Sequence, residues 1–162
     1  MINEHETYVS LETAKLLKEA GFDWETREYY KPIKEGYKFD WNSLPVNWNQ
    51  KVAILIAQKH NRPEGYSAPT LAVAQRWLRE VKNIVVEAHA TFQLTPEGNR
   101  QYAAAFVDWI GSTYSYEYLE RFDKDGNFCV EFDSYEEALE AGINKKLNIL
   151  LHGNGSDDSS GK

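Results

Sequence analysis

The chain has 162 residues, of which 42% are apolar, 27% charged and 14% aromatic, with a formal net charge of -7. This is the composition and length of one globular domain. A membrane-spanning helix is excluded, because no run of about 18 uninterrupted apolar residues occurs. The single cysteine, Cys129, excludes an intramolecular disulfide and a cysteine-rich zinc site.

The polar, acidic start MINEHETYVS has neither a basic n-region nor an apolar h-region, so secretion is not expected and the cytoplasm is the expected location. An acidic chain repels phosphate backbones and anionic membrane surfaces over a Debye length of about 8 Å. Nucleic acid is therefore a disfavoured partner unless a basic stripe exists locally.

The first helix is expected over Ser10–Ala20. Ser10 is a good N-cap, Glu12 suits the first turn, and Gly21 is the C′ residue. Leu11, Ala14, Leu17 and Ala20 form one apolar stripe, widened by Leu16. A hairpin follows over Trp24–Trp41. Thr26–Tyr30 favours strand, Lys31-Pro32 interrupts it, and Glu35-Gly36 turns the chain. Tyr37, Phe39 and Trp41 then alternate with Lys38 and Asp40 on one apolar face, and the loop is expected to exceed two residues. In Asn42–Pro69, the apolar run Val52–Ala57 fits a buried strand or a helical turn equally well. Asn61–Pro69, with its prolines and glycine, reads as a loop.

A second helix is expected to start at Pro69 or Thr70, proline being free of cost at the first helical position. Its stripe is Leu71, Ala74, Leu78 and Val81, widened by Trp77. Ile84–Leu94 reads as a strand with Ile84, Val86, Ala88, Ala90 and Phe92 facing the core, and Val85, Glu87, His89, Thr91 and Gln93 facing solvent. Thr95–Asn99 is a turn, and Tyr102–Ile110 the antiparallel return. Tyr114–Phe122 is a third strand. Asp125-Gly126 turns it into a fourth, where Phe128, Val130 and Phe132 alternate with Cys129 and Glu131. The last helix starts at Ser134, which has capping-box spacing to Glu137, and its stripe is Leu139, Ile143, Leu147 and Leu150, widened by Ala138 and Leu151. His152–Lys162 has no apolar side chain and reads as a disordered tail, leaving one domain over 1–152 and a tail over 153–162.

The expected fold is α+β, a two-layer sandwich. An antiparallel sheet of about four strands carries helices on one face, with an N-terminal helix and hairpin added.

No catalytic signature stands out. Asp123, Asp125 and Asn127 open like a calcium loop, but Phe128 and Ser134 occupy the places of the required glycine and glutamate, so a polar hairpin turn is expected. His5, His60, His89 and His152 have no paired metal spacing. Only His89 lies on a predicted rigid element, where the neighbouring Glu87 could raise its pKa and orient it for acid–base work. Cys129 has no readable base beside it. Phosphate-loop, dinucleotide and hydrolase motifs do not occur. No catalytic, cofactor-binding or metal-ligating residue is therefore assigned.

The aromatics are the unusual feature. Trp24, Tyr29, Tyr30, Tyr37, Phe39, Trp41 and Trp48 crowd one region, and Tyr114, Tyr116 and Tyr118 alternate in another. Such residues pack a small core or anchor an interface. Arg27, Lys31, Lys34, Lys38 and Lys51 are offset by Glu25, Glu28, Glu35 and Asp40, which argues against a single-strand nucleic-acid groove. The α-β-β-β-α order of the second half resembles double-stranded-RNA-binding domains by topology. Those domains grip phosphates with basic residues, and here the last helix begins with Glu136 and Glu137.

Three stretches, YVSLETAKLLKEAGFDW, YSAPTLAVAQRWLREVKNIVVEA and SYEEALEAGINKKLNILL, resemble a family of small uncharacterised proteins from gut Bacteroidetes and their phages or integrated elements. The resemblance covers roughly a third of the chain and is most specific in SAPTLAVAQRWLREV, while Asn42–Arg62 departs from it and reads as an insertion. It implies a mobile-element setting and an intracellular location, and it transfers no functional residues. The expected function is a non-catalytic protein-interaction module that binds a protein partner or itself through aromatic surface. The alternatives are a small enzyme using His89 with nearby carboxylates, and nucleic-acid binding through Arg76, Arg79 and Lys82 on helix 70–82, with Arg100.

Overall fold

The structure, a computed structural model, describes residues 6–50, 64–95, 97–110, 113–122, 128–129 and 131–153. The expected run Val52–Ala57, the Asp123–Asn127 turn and most of the tail lie outside the described residues. The fold is α+β, with antiparallel sheets and helices packed against them. The chain forms two compact units, Met1–Trp77 and Leu78–Lys162.

In the first unit, α1 spans Leu11–Glu19. The Ser10 hydroxyl accepts the Thr13 N–H at 3.2 Å, satisfying one of the donors a helix start leaves orphaned. At the other end Gly21 takes φ +90, so its N–H reaches the Lys18 carbonyl while the Phe22 N–H reaches that of Leu17. That pair is a Schellman closure. Ala14 and Leu17 on the expected stripe are buried, together with Thr13.

Strand β1 (Thr26–Ile33) pairs antiparallel with β2 (Gly36–Val46) on one side and with β3 (Tyr66–Ser67) on the other, giving the order β2-β1-β3. Two expectations fail here. Lys31-Pro32 does not interrupt the strand, and the loop is only Lys34-Glu35, because Ile33 pairs directly with Gly36. Gly36 supplies the positive φ (+109), which leaves the two turn residues in ordinary conformations. Pro32 is tolerated because, among the described residues, the β3 ladder ends at Tyr30↔Tyr66, so the side of β1 facing away from β2 is free at Pro32. The expected loop over Asn61–Pro69 thus contains a short buried strand. Ser67, Ala68 and Pro69 have almost no exposure.

Helix α2 spans Leu71–Lys82. Its N-cap is Thr70, whose hydroxyl accepts the Val73 N–H at 3.3 Å. Pro69 lies outside the helix, where its carbonyl accepts the Val9 N–H at 3.0 Å. The helix ends at Asn83, in the left-handed conformation (φ 55) that asparagine tolerates.

In the second unit, β4 (Val85–Leu94) pairs with β5 (Arg100–Ile110) through the expected turn. There the Gly98 N–H donates to the Thr95 carbonyl and the Thr95 N–H to that of Asn99, each at 2.8 Å. The far edge of β5 is divided between two partners. Strand β6 (Thr113–Tyr118) takes Ala105–Ile110, and β9 (Glu131–Phe132) takes Tyr102 and Ala103. Between them the Leu119 N–H bonds the Ala104 carbonyl at 3.0 Å. The third and fourth strands expected from sequence are therefore each broken in two. Among the described residues their other halves, β7 (Arg121–Phe122) and β8 (Phe128–Cys129), pair only with each other. Leaving the sheet at Leu119 lets one edge accept both strands.

Helix α3 (Tyr135–His152) starts where expected, the Ser134 hydroxyl accepting the Glu137 N–H at 3.1 Å. It includes His152, which sequence reasoning placed in the tail. It packs across β4, β5 and β9, with Ala138, Leu139, Ile143 and Leu147 buried. The approach is close at Gly142, where a Cβ would stand 2.7 Å from Val86 Cγ1 and 3.1 Å from Ala104 Cβ. Val81, Phe92 and Leu150, expected on buried stripes, are exposed. All three lie toward element ends. Periodicity sets a side chain's direction and not how far a covering layer extends.

Gly142→Ala is expected to destabilise the fold. Helix propensity favours alanine by about 1 kcal/mol, but forcing a methyl into this contact costs about 1–3 kcal/mol. Leu147→Ala, at the centre of the buried stripe, is expected to cost about 2–5 kcal/mol. Chemical denaturation measures both, and a stabilised Gly142→Ala protein would contradict the close approach.

Candidate functional site

The first unit closes around a short polar segment, Asn47-Trp48-Asn49. Asn47 Nδ2 donates to the Asp23 carbonyl at 2.7 Å, and Asn49 Nδ2 to the Phe22 carbonyl at 3.0 Å. Asn49 Oδ1 accepts the Ser67 N–H at 3.3 Å, while Asn47 Oδ1 accepts the Asn49 N–H at 2.9 Å. The Ser67 hydroxyl, fully buried, accepts the Trp48 N–H. Two amides thus tie the end of α1, the end of β2 and strand β3 together. The Trp48 ring stacks on Tyr29 with centroids 3.8 Å apart.

This closure presents one aromatic sheet face. Cross-strand partners share a face, so the register puts Glu28, Tyr30 and Pro32 beside Trp41, Phe39 and Tyr37, with Tyr66 alongside. The N-terminal segment and α1 cover much of that face. The Tyr30 hydroxyl donates to the Val9 carbonyl at 2.9 Å, and Tyr8 packs on Phe39 at 5.2 Å. Lys15 stands over Tyr37 and Lys18 over Tyr66, and Lys18 also meets Glu64 at 2.6 Å. Tyr37 and Phe39 are half-buried, whereas Trp41 is 47% exposed and Leu44 69%. The aromatic region is core at one end and surface at the other.

The surface end coincides with a strand edge. Hydrogen-bonded and non-hydrogen-bonded pairs alternate along an antiparallel ladder. Pro32 has no N–H, so Pro32↔Tyr37 is a non-hydrogen-bonded pair, and alternation makes Tyr30↔Phe39 and Glu28↔Trp41 the same. The Glu28 carbonyl accordingly points to the β3 side, where it accepts the Ala68 N–H at 3.0 Å. The backbone groups of Tyr37, Phe39 and Trp41 therefore face outward. Among the described residues no strand pairs with that side of β2. The Trp41 N–H is held instead by Asp40 Oδ1 at 2.9 Å, and the Ser43 N–H by Asn42 Oδ1 at 3.0 Å. Asp40 also lies 3.9 Å from Lys31.

Burial, then the charges of Glu28 and Glu6 and hydrogen bonds to both, push the Tyr8 phenol up to about 12. Burial, then a hydrogen bond and charge coupling to Tyr37 and the charge of Glu64, do the same for Tyr66. Burial and Asp40 raise Tyr29. These phenols serve as neutral donors and packing surface across the ordinary pH range.

The residues singled out for other chemistry are dispersed. His89 lies half-buried on β4, on the face opposite α3, with Nε2 3.3 Å from the Tyr118 hydroxyl and the rings edge-on at 5.5 Å. Buried Ala103 and Ala105 share this face and leave room for the tyrosine to reach across β5. Glu87 is on the same face by register. Arg76 is engaged with the Trp24 ring at 5.5 Å, while Arg79 and Arg100 are exposed. His5, His60, Lys51 and the calcium-like Asp123, Asp125 and Asn127 lie outside the described residues, as do the side chains of Cys129, Tyr114 and Tyr116. Sequence reasoning missed Asn47, Asn49 and Leu44. The signal present was the run of asparagines at 42, 47 and 49, residues that hydrogen-bond nearby backbone in turns. Among the described residues no helix is long and apolar enough to cross a membrane. Comparison with protein-family models, curated proteins and solved structures finds no match.

Asn49→Ala is expected to destabilise by about 1–3 kcal/mol for each buried backbone group it orphans, read as a shift in the denaturation midpoint at unchanged slope. Tyr66 has a folded pKa of about 12 against the ordinary 10.0. The unfolded chain therefore releases this proton first. The associated stability is complete below pH 10 and is lost as pH rises through about 12. Tyr66→Phe should make the alkaline fall of stability shallower, and an unchanged slope would contradict the shift.

Proposed function

We propose that this chain is a non-catalytic protein-interaction module that takes an extended segment of a protein along the outer edge of β2. The observation that supports this is the outward-facing backbone of Tyr37, Phe39 and Trp41, unpaired with any strand among the described residues and flanked by exposed Trp41 and Leu44. Strand addition draws affinity from main-chain hydrogen bonds and selectivity from alternate side chains. Tryptophan is among the residue types that most often carry interface energy.

The net charge of -7 supports a protein partner over nucleic acid or an anionic membrane. The engagement of Arg76 with Trp24 supports the same choice. The alternative of a small enzyme at His89 has weaker support, because no nucleophile, phosphate-loop or dinucleotide motif accompanies it in the sequence. A cytoplasmic setting in a phage or integrated element of gut Bacteroidetes belongs to this reading, supported by the three stretches quoted above and by the single cysteine.

The test is affinity capture from the native host cell, followed by titration of the recovered partner. Trp41→Ser combined with Leu44→Ser is expected to weaken binding by about thirtyfold or more, while thermal unfolding stays cooperative. Binding that is indifferent to both substitutions would refute β2 as the interaction element.

A further inference from the structure

We infer that the segment taken by the β2 edge is β2 of a second copy of this chain, paired antiparallel about Phe39. The inference rests on the reading of β2 as the interaction element and adds the identity and register of the occupant.

The edge is self-complementary in one register. With a two-fold axis at Phe39, Phe39 lies opposite Phe39 of the second copy, Tyr37 opposite its Trp41, and Lys38 opposite its Asp40. Tyr37, Phe39 and Trp41 are the residues whose backbone groups face outward, so this register lets each of them exchange hydrogen bonds. Lys38 and Asp40 then fall in the non-hydrogen-bonded pairs, where opposing side chains stand closer and an opposite-charge pair is favourable. The aromatic pairs form on the face that already carries Tyr30 and Tyr66.

Neighbouring registers are penalised by residues of the same strand. An axis at Lys38 sets Lys38 against its own copy, and an axis at Asp40 sets Asp40 against its own copy. Like charges directly opposite are destabilising. An axis at Trp41 puts Pro45, which has no N–H, opposite Tyr37 and removes a ladder bond at each end. In the Phe39 register, residue 45 lies beyond the paired stretch.

The Asp40 carboxylate exchanges partners on association. In the single chain it caps the Trp41 N–H at 2.9 Å and lies 3.9 Å from Lys31. In the pair the Trp41 N–H passes to the Tyr37 carbonyl of the second copy, and Asp40 turns to the incoming Lys38. The Trp41 N–H is therefore held both before association and after it.

The experiment is sedimentation velocity on the full chain over a concentration series, with Lys38→Glu, Asp40→Lys and the double variant. Wild type is expected to form a dimer. Each single reversal sets like charges opposite one another twice and should weaken association by about tenfold or more. The double variant exchanges the two charges and should restore it. Lys38 is exposed, so its substitution leaves folding intact, and circular dichroism checks each variant. A wild type that stays monomeric, a dimer insensitive to the single reversals, or a double variant that remains dissociated overturns the second-copy inference. The interaction reading falls only if Trp41→Ser with Leu44→Ser also leaves the captured partner bound.

Discussion

Asn49 is the residue on which the first unit closes. Its one amide group satisfies the Phe22 carbonyl, at the exit of α1, and the Ser67 N–H, on β3. Segments distant in sequence are joined through side-chain amides, and a part-buried amide left half-bonded would contribute less than it costs. Asn47 completes the closure through Asp23 and through the Asn49 N–H. With β3 fastened in this way, the Glu28 carbonyl on the side of β1 away from β2 receives the Ala68 N–H. The outward orientation of Tyr37, Phe39 and Trp41 is set by the Pro32↔Tyr37 register, and the bond from Ala68 to the Glu28 carbonyl on the other side of β1 agrees with it.

The second unit solves a different geometric problem. One edge of β5 has room for both β6 and β9 because the chain leaves the sheet after Leu119, forms the β7–β8 pair and returns. The helix must then lie close enough to bury a sheet face rich in alanine. Ala104 on β5 and Gly142 on α3 permit that distance, and Val86 and Phe106 fill the space beside them. Small residues on both surfaces do here what bulky ones do elsewhere, and the cost is sensitivity to a single added methyl group.

The helices were legible because their signals are local. Ser10, Gly21 and Ser134 mark helix ends through bonds to residues within a few positions, and these bonds are present. The strands were legible in type and less so in extent. Nothing local in Tyr114–Phe122 says that the ladder partner changes after Tyr118, because that depends on which strand reaches β5. Pro32 looked like an interruption because its tolerance depends on where the β3 ladder ends. At the candidate site, the alternation of Tyr37, Phe39 and Trp41 was readable, but the burial of the first two and the exposure of the third were not. Those depend on how far the N-terminal segment and α1 extend over the sheet.

The composition of the β2 edge bears on why an open strand there is compatible with a well-behaved protein. Exposed edges are commonly guarded by lysine, by proline and by side chains that cap the free N–H groups. Strand β2 has all three, in Lys38, Pro45 and the Asp40 and Asn42 caps. A guard of this kind opposes most incoming strands, since most would meet an unmatched charge or a missing donor. It does not oppose a strand carrying the same residues in reverse order. Repulsion in the wrong registers and attraction in one register arise from the same side chains, and specificity of this kind is a difference between competing pairings rather than a property of one contact. The devices that keep the edge from pairing indiscriminately are thus also the ones that could select its partner.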